Sequence, residues 1–552
     1  MSPTSLSLVV ATVAAICMGC TSQSNTENKP VSASEFSITD AQNNLSFAKT
    51  QYLKMIDHVE NDRNTLASPL CATQTKLCVP RAEEHGKIYL EQQEKWTNGF
   101  YPGLLWKLLA AKDQIKDLTK AQEAKLLETA VTYQELLYSE AKRGVTHDLG
   151  FILNDSFGEA LEYADLDPEL RKKYIAALKQ GRDTLTGRYT DEEGVIKSWD
   201  WIPRIKLHTV NKGKKSSDLY YLSDPWTYPV IVDNMMNLEF LLDSNNPRHH
   251  EVAFNHAANT IKNHYYYFDE DKAQQYPIAY HVFDYGTDRP GNWQGVGNIS
   301  AWARGQGWSL YGFVTVAEAM HKAQIDISTM PNFKQHVSQL YDAIEFLLAD
   351  DVIPNWDFIA HEEDAYKAAE NVSTETTIYS GILNLCDKNI PHDALPYKGY
   401  RPIKIDTSLM AEETLTAIAS LDSQYNEPII QGDKVVPCGS KPFDLTGRTI
   451  PKDTSAAALI ASALYRYATL TATDASEKEK FAGLADKIML ALTTKYRTDK
   501  DDSKPHSLDL GFVMAQATGN FPNASEINTP IVYADFYFVE ANVRKLEFEA
   551  SR

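Results

Sequence analysis

The chain has 552 residues, 43% of them hydrophobic and 11% aromatic, which is ample for a large core and excludes a disordered or fibrous protein. With 54 Lys and Arg against 74 Asp and Glu, its net charge of −20 argues against general binding to nucleic acid or other polyanions. An anionic ligand has to be held by local Arg, Lys or helix ends.

The N-terminus carries an apolar segment from Leu6 to Ile16, then Gly19-Cys20 and a polar run. This resembles a bacterial lipoprotein signal (residues 1–19) cleaved before a lipidated Cys20, followed by a polar linker over 20–38. No Lys or Arg precedes the apolar segment and Cys17 stands where such signals usually have Leu, so an ordinary secretory signal is the other reading. Both export the protein; the lipoprotein reading places it on the outer membrane, facing the periplasm or the cell surface. No later stretch reaches the ~20 apolar residues of a membrane-spanning helix. Outside the signal, Cys71, Cys78, Cys386 and Cys438 permit two disulfides, Cys71 with Cys78 closing a short loop and Cys386 with Cys438 a longer one. A metal site is not expected, because neither pair has a short C-x-x-C spacing or a nearby histidine pair.

From residue 39 to 552 the chain reads as one unit of successive amphipathic helices. Leu126, Ala130, Tyr133 and Leu137 recur at helical spacing, as do Ala457, Ile460, Leu464 and Tyr467 behind a cap at Asp453 or Thr454. Similar patterns fall near 40–60, 168–187, 248–265, 303–322, 333–349, 477–494 and 530–546. About a dozen helices in hairpin order favour an all-α toroid. Residues 359–450 differ: short apolar runs, Pro and Gly punctuation and two cysteines mark an irregular insertion, with a helix at "SLMAEETLTAIASL".

All nine Trp lie between Trp96 and Trp356, several in loops or at helix starts. Aromatic faces in a cleft suit sugar rings, although any one Trp is as readily core filling. His147 and Asp148 stand before Gly150 at the mouth of a helix, where Asp148 alone reads more readily as a cap. In "PVIVDNMMNLEFLL", Asp233, Asn234 and Asn237 interrupt an apolar run expected to be helical from Pro229. A buried carboxylate there needs partners or a raised pKa, and two carboxylates in an aromatic cleft are the equipment of acid/base chemistry on glycosides. Further along, His281, Gln294, Trp302, Arg304 and Trp308 follow; Arg304 suits either a substrate carboxylate or a structural ion pair.

The motifs "WTNGFYPGLLW", "HDLGF", "IKSWDW", "PVIVDNMMNLEFLL", "YHVFDY", "SAWARGQGWSLYGF", "IPNWDF", "KDTSAAALIASALY" and "PIVYADFYFVEA" occur in the order seen in glycoside hydrolase family 88. The chain resembles these unsaturated glucuronyl hydrolases over roughly Trp96 to Glu540. The resemblance implies an (α/α)6 barrel and removal of a terminal 4,5-unsaturated uronic acid from polysaccharide-lyase products, by adding water across the C4=C5 vinyl ether and without metal or redox cofactor. It implies Asp233 as general acid/base, Asp148 as assisting carboxylate, and Trp96, His147, Trp199, His281, Gln294, Trp302 and Trp308 around the sugar, with Arg304 placed for a carboxylate or sulfate. Two departures stand out: "QGVGNIS" replaces the family's aromatic and acidic run, and the 359–450 insertion, longer than usual, is expected to shape the aglycone side. Ulvan-type or other sulfated uronate oligosaccharides are the first expected substrates, with glycosaminoglycan disaccharides close behind. Unsaturated rhamnogalacturonyl hydrolysis matches the motifs less well. A non-catalytic glycan-binding surface lipoprotein would be expected to lack one of the two aspartates.

Overall fold

The structure is a computed structural model describing residues 35–358 and 450–552, apart from 74–76, 201–203, 206–219, 222–226, 269–275, 292–293, 296–299, 324–329, 349–351, 505 and 521–525. Within 359–449 it describes only the short strands at 403–404, 430–431 and 434–435. Cys20, the signal and linker, Cys386, Cys438 and the helix expected in the insertion lie outside the described residues.

In chain order the long elements are α1 (Ile38–Glu60), α2 (Phe100–Ala110), α3 (Lys120–Glu135), α4 (Glu159–Glu162, prolonging a π-helical stretch at Gly150–Gly158), α5 (Pro168–Thr186) and α6 (Asn237–Leu242, prolonging a 3-10 turn at Val232–Met236). They continue with α7 (Pro247–Asn263), α8 (Ala303–Ala323), α9 (Phe333–Leu348), α10 (Thr454–Leu470), α11 (Ala475–Ala491) and α12 (Val532–Ala550). The even-numbered helices with their lead-in turns form an inner ring: each packs on the next, and α12 closes back on α2. The odd-numbered helices pack outside them, α1 on α12, α3 on α2, α5 on the Gly150–Gly158 stretch, and α7, α9 and α11 on α6, α8 and α10. This is the expected all-α (α/α)6 toroid.

The two rings differ because their surroundings differ. Outer helices keep one wet face: α1 buries Leu45, Tyr52 and Ile56 and exposes the opposite side. They also start on local signals, with capping boxes at Ser37/Asp40 and Thr119/Gln122 and an Asp or Asn cap before Pro168 and Pro247. Inner helices are enclosed on all sides, so α10 is buried from Thr454 to Tyr465, and its alanines let α8 and α12 approach. Gly312 on α8 is needed for a similar approach: a Cβ there would stand 2.4 Å from Cβ of Met235, in the turn that carries Asp233.

One element differs from expectation. Residues 229–231 are extended, paired antiparallel with Val282–Asp284, and the following turn is 3-10 rather than α until Asn237. Neighbouring-strand pairing overrides the helical spacing there. The Cys71–Cys78 disulfide forms as expected, with S–S 2.04 Å.

In such hairpins every outer-to-inner connection emerges at one end of the ring, and these are the long ones, such as 61–99, 187–231 and 264–302. At the other end the connections are short, 163–167 and 243–246 among them, and buried charges converge: Lys107 meets Glu159 at 2.7 Å and Glu540 at 3.1 Å, while Arg466 bridges Glu239 and Glu318. Gly312→Ala should lower stability by about 1–3 kcal/mol through overpacking against Met235, read from urea unfolding.

Candidate active site

The long loops line a cavity of ≈ 570 Å³ with Trp96, His147, Asp148, Trp199, Asp233, Gln294, Trp302 and Arg304, together with Arg81, Lys95, Asn520, Glu526 and Tyr533. Eight of the residues singled out from sequence thus meet in one place. Two do not line it. His281 is buried behind Asp233, with Nε2 3.1 Å from Oδ2 of the carboxylate. Trp308 is wholly buried against Phe151 and Tyr537, so the bland reading of a core Trp holds for it and the expected sugar contact does not.

Asp233 starts the inner-ring turn and is 7% exposed. Strand pairing on its N-terminal side holds the turn at the cavity wall. His281 sits directly before the opposing strand, and its carbonyl accepts the Val232 N–H at 2.9 Å. Carboxylate and imidazole are thereby presented by the two strands of one ladder. Trp302 packs beside His281, ring centres 4.4 Å apart.

Asp148 is wetter, its side chain 25% exposed, and accepts from the Thr146 hydroxyl. It does not cap the following helix; no side-chain cap is made there. His147 is buried, with Nε2 3.3 Å from Asp148 Oδ1 and its backbone N–H donated to Ser198 O at 3.0 Å. Burial lowers its pKa, against the pull of Asp148 and Asp233, so the ring is held neutral.

Asn234 and Asn237 join these loops. Asn237 Oδ1 accepts the Gly150 N–H at 2.8 Å, and its Nδ2 donates to Asn234 Oδ1 at 2.8 Å and stands 3.5 Å from His147 Nδ1. Asn234 Nδ2 donates to Ile196 O at 2.6 Å, and Ile196 N–H donates to His256 Nδ1 at 3.0 Å. Both amides are wholly buried, so each bond replaces water that the site cannot hold.

Arg304 is committed inside the protein. Its Nη1 donates to Asp453 Oδ2 at 2.9 Å and to Thr518 O at 2.7 Å, its Nη2 to Gly519 O, and the guanidinium lies over Trp302 and Tyr533. The structural ion pair accounts for its charge, and the same Asp453 caps α10. Gln294 donates to Gly519 O at 3.2 Å and ties the same loop. Trp199 packs with Ile231 and Val282 beneath Asp233, and Trp96 sits edge-on to Phe100 and Phe151.

Arg81, Lys95, Asn520, Glu526 and Tyr533 were not legible as site residues. Tyr533 and Asp453 stand inside motifs already recognised. Arg81 and Glu526 carry no such signal, because their bidentate pair joins residues 445 apart in sequence.

A six-hairpin toroid with two carboxylates in a Trp-lined cavity at its long-loop end defines a glycoside-processing enzyme class. No protein-family model matches the chain. It is 26% identical to the unsaturated glucuronyl hydrolase of Formosa agariphila over 462 residues, 83% of this chain and 82% of the relative. It is 30% identical to the unsaturated chondroitin disaccharide hydrolase of Streptococcus pyogenes over 246 residues, 42% of this chain and 50% of the relative. A solved unsaturated glucuronyl hydrolase specific for heparin superposes with TM-score 0.58 at 23% identity, covering 93% of this chain and 99% of that one. The Bacillus sp. GL1 enzyme superposes with TM-score 0.55 at 17% identity, covering 92% and 97%. In sequence the chain is similar to the unsaturated glucuronyl hydrolases, and it shares the fold of those that have been solved.

Two outcomes check the supporting network. Asn237→Leu leaves the Gly150 N–H and Asn234 Oδ1 unpaired and should cost about 2–4 kcal/mol in urea unfolding. His256 is pushed down to about 3 by burial, so the unfolded chain binds a proton below pH 6.5 that the folded chain refuses. Its stabilising contribution is whole above pH 6.5 and drains away as pH falls toward 3. His256→Asn keeps an acceptor for Ile196 N–H but cannot titrate, and should flatten the acid limb of a stability–pH curve by about 1.4 kcal/mol per pH unit.

Proposed function

We propose that this exo-acting hydrolase removes the terminal 4,5-unsaturated glucuronic acid from polysaccharide-lyase oligosaccharides by hydrating the C4=C5 vinyl ether. The observation that carries this is the nearly buried Asp233, bonded to His281, sharing one Trp-lined cavity with the wetter Asp148.

Asp233 in its acid form delivers its proton to C4. The C4=C5 electron pair forms the new C–H bond and leaves an oxocarbenium centre at C5, shared with the ring oxygen. A water attacks C5 and gives its proton to the Asp233 carboxylate, restoring the acid. The resulting hemiketal opens at C5–O5 and its collapse releases the aglycone, so one water is consumed per bond cut. His281 holds Asp233 in place through either protonation state, since its Nε2–H can donate to Oδ2 while Oδ1 carries the proton. Asp148, held by the Thr146 hydroxyl with His147 Nε2 3.3 Å away, positions and polarises, and the neutral His147 brings no positive charge to the site. Trp96, Trp199 and Trp302 offer ring faces to the sugar.

Relatives named for unsaturated chondroitin disaccharides and for heparin support glycosaminoglycan-type disaccharides as substrates, with ulvan-type sulfated oligosaccharides as the second arm of the assay. The insertion at 359–450 is read as tuning this choice from the aglycone side. Export as a lipoprotein anchored at Cys20 rests on the Leu6–Ile16 segment and the Gly19-Cys20 pair. No helix among the described residues is long and apolar enough to cross a membrane.

Turnover is followed by the loss of ultraviolet absorbance of the unsaturated uronate. Asp233→Asn should lower kcat by about 10²–10⁴-fold, and Asp148→Asn should also be severely impaired; an Asp233→Asn protein at wild-type rate would sink the mechanism. Cys20→Ser should move the expressed protein from the membrane fraction to the soluble fraction.

A further inference from the structure

Three cations line the cavity: Arg81, Lys95 and Arg304. Two already have carboxylates. Arg304 is held by Asp453. Arg81 is clamped between Glu91, bidentate at 2.7 and 2.8 Å, and Glu526. Lys95 has no carboxylate partner among the described residues, and its side chain is exposed. The backbone beneath it is fixed: Asn98 N–H donates to Lys95 O at 3.1 Å, and Lys95 N–H to Gln92 O at 3.3 Å. The next residue, Trp96, is itself wedged against Phe151 and Tyr533.

The lining carboxylates Asp148 and Asp233 have no Lys or Arg partner among the described residues, and the Arg81 charge is already exceeded by Glu91 and Glu526. A cavity of that sign repels an anionic sugar unless a cation remains for it. We propose that Lys95 is the specificity-determining residue that binds a substrate oxyanion at the exposed edge of the cavity, taking the place expected of Arg304. This rests on the reading of the substrate as an unsaturated uronate. The oxyanion is the uronate carboxylate or a sulfate ester on the neighbouring sugar; a compact ammonium on a flexible stem serves either.

The test measures kcat and KM for wild type, Lys95→Gln and Lys95→Arg on an unsaturated non-sulfated chondroitin disaccharide and on its sulfated counterpart. Lys95→Gln should raise KM about tenfold, with a smaller change in kcat, and Lys95→Arg should recover most of the loss. A rise on both substrates assigns the contact to the uronate carboxylate. A rise on the sulfated one alone assigns it to the sulfate. If wild type turns over these substrates and Lys95→Gln leaves both KM values unchanged, the inference fails. If wild type turns over neither these nor ulvan-type oligosaccharides, the substrate reading fails and this inference with it.

Discussion

Asn237 is the residue on which the geometry of the cavity depends. From a single buried amide it accepts from the start of the Gly150 segment, donates to Asn234 and stands against His147. Asn234 extends the bridge to Ile196, and so to His256 on α7. The loop of Asp148 belongs to one connection, the loop of Trp199 runs on into the turn of Asp233 in the next, and these buried amide bonds fix the two connections against each other. An apolar contact tolerates sliding; a chain of amide bonds in a water-free interior does not.

That register matters to the proposed mechanism, in which the two aspartates are asked to behave differently. Asp233 is nearly closed off and meets an imidazole, while Asp148 is partly wet and meets a hydroxyl. Difference of environment separates the roles of two chemically identical groups. The burial that lowers His147 also keeps it a neutral neighbour to both.

The two ends of the ring divide the work. At the short-loop end, Lys107, Arg466 and Arg544 are interleaved with Glu159, Glu239, Glu318 and Glu540, and burial outweighs the pull of Lys107 to raise Glu159 to about 7. Those charges answer one another. At the long-loop end the arginines are likewise answered, but the aspartates are left for substrate and water. Structural ion pairs thus stand at both ends of the toroid.

Helical periodicity made the helices legible from sequence alone, since a stripe at 3.6 spacing is local information carried by neighbours in the chain, and the family resemblance implied the (α/α)6 ring. Ordered motifs located the cavity for the same reason, and Cys71–Cys78 was legible because the loop it closes is short. Only the tertiary structure decided that 229–231 is a strand, because its partner at 282–284 lies on another connection. It also decided that Arg304 serves Asp453, that Trp308 is core, and that Arg81 joins Glu526 across most of the chain. A guanidinium in sequence is the same whether it meets a sugar or a carboxylate of its own protein. Which one it meets is a matter of distance, and distance between remote residues exists only once the ring has closed.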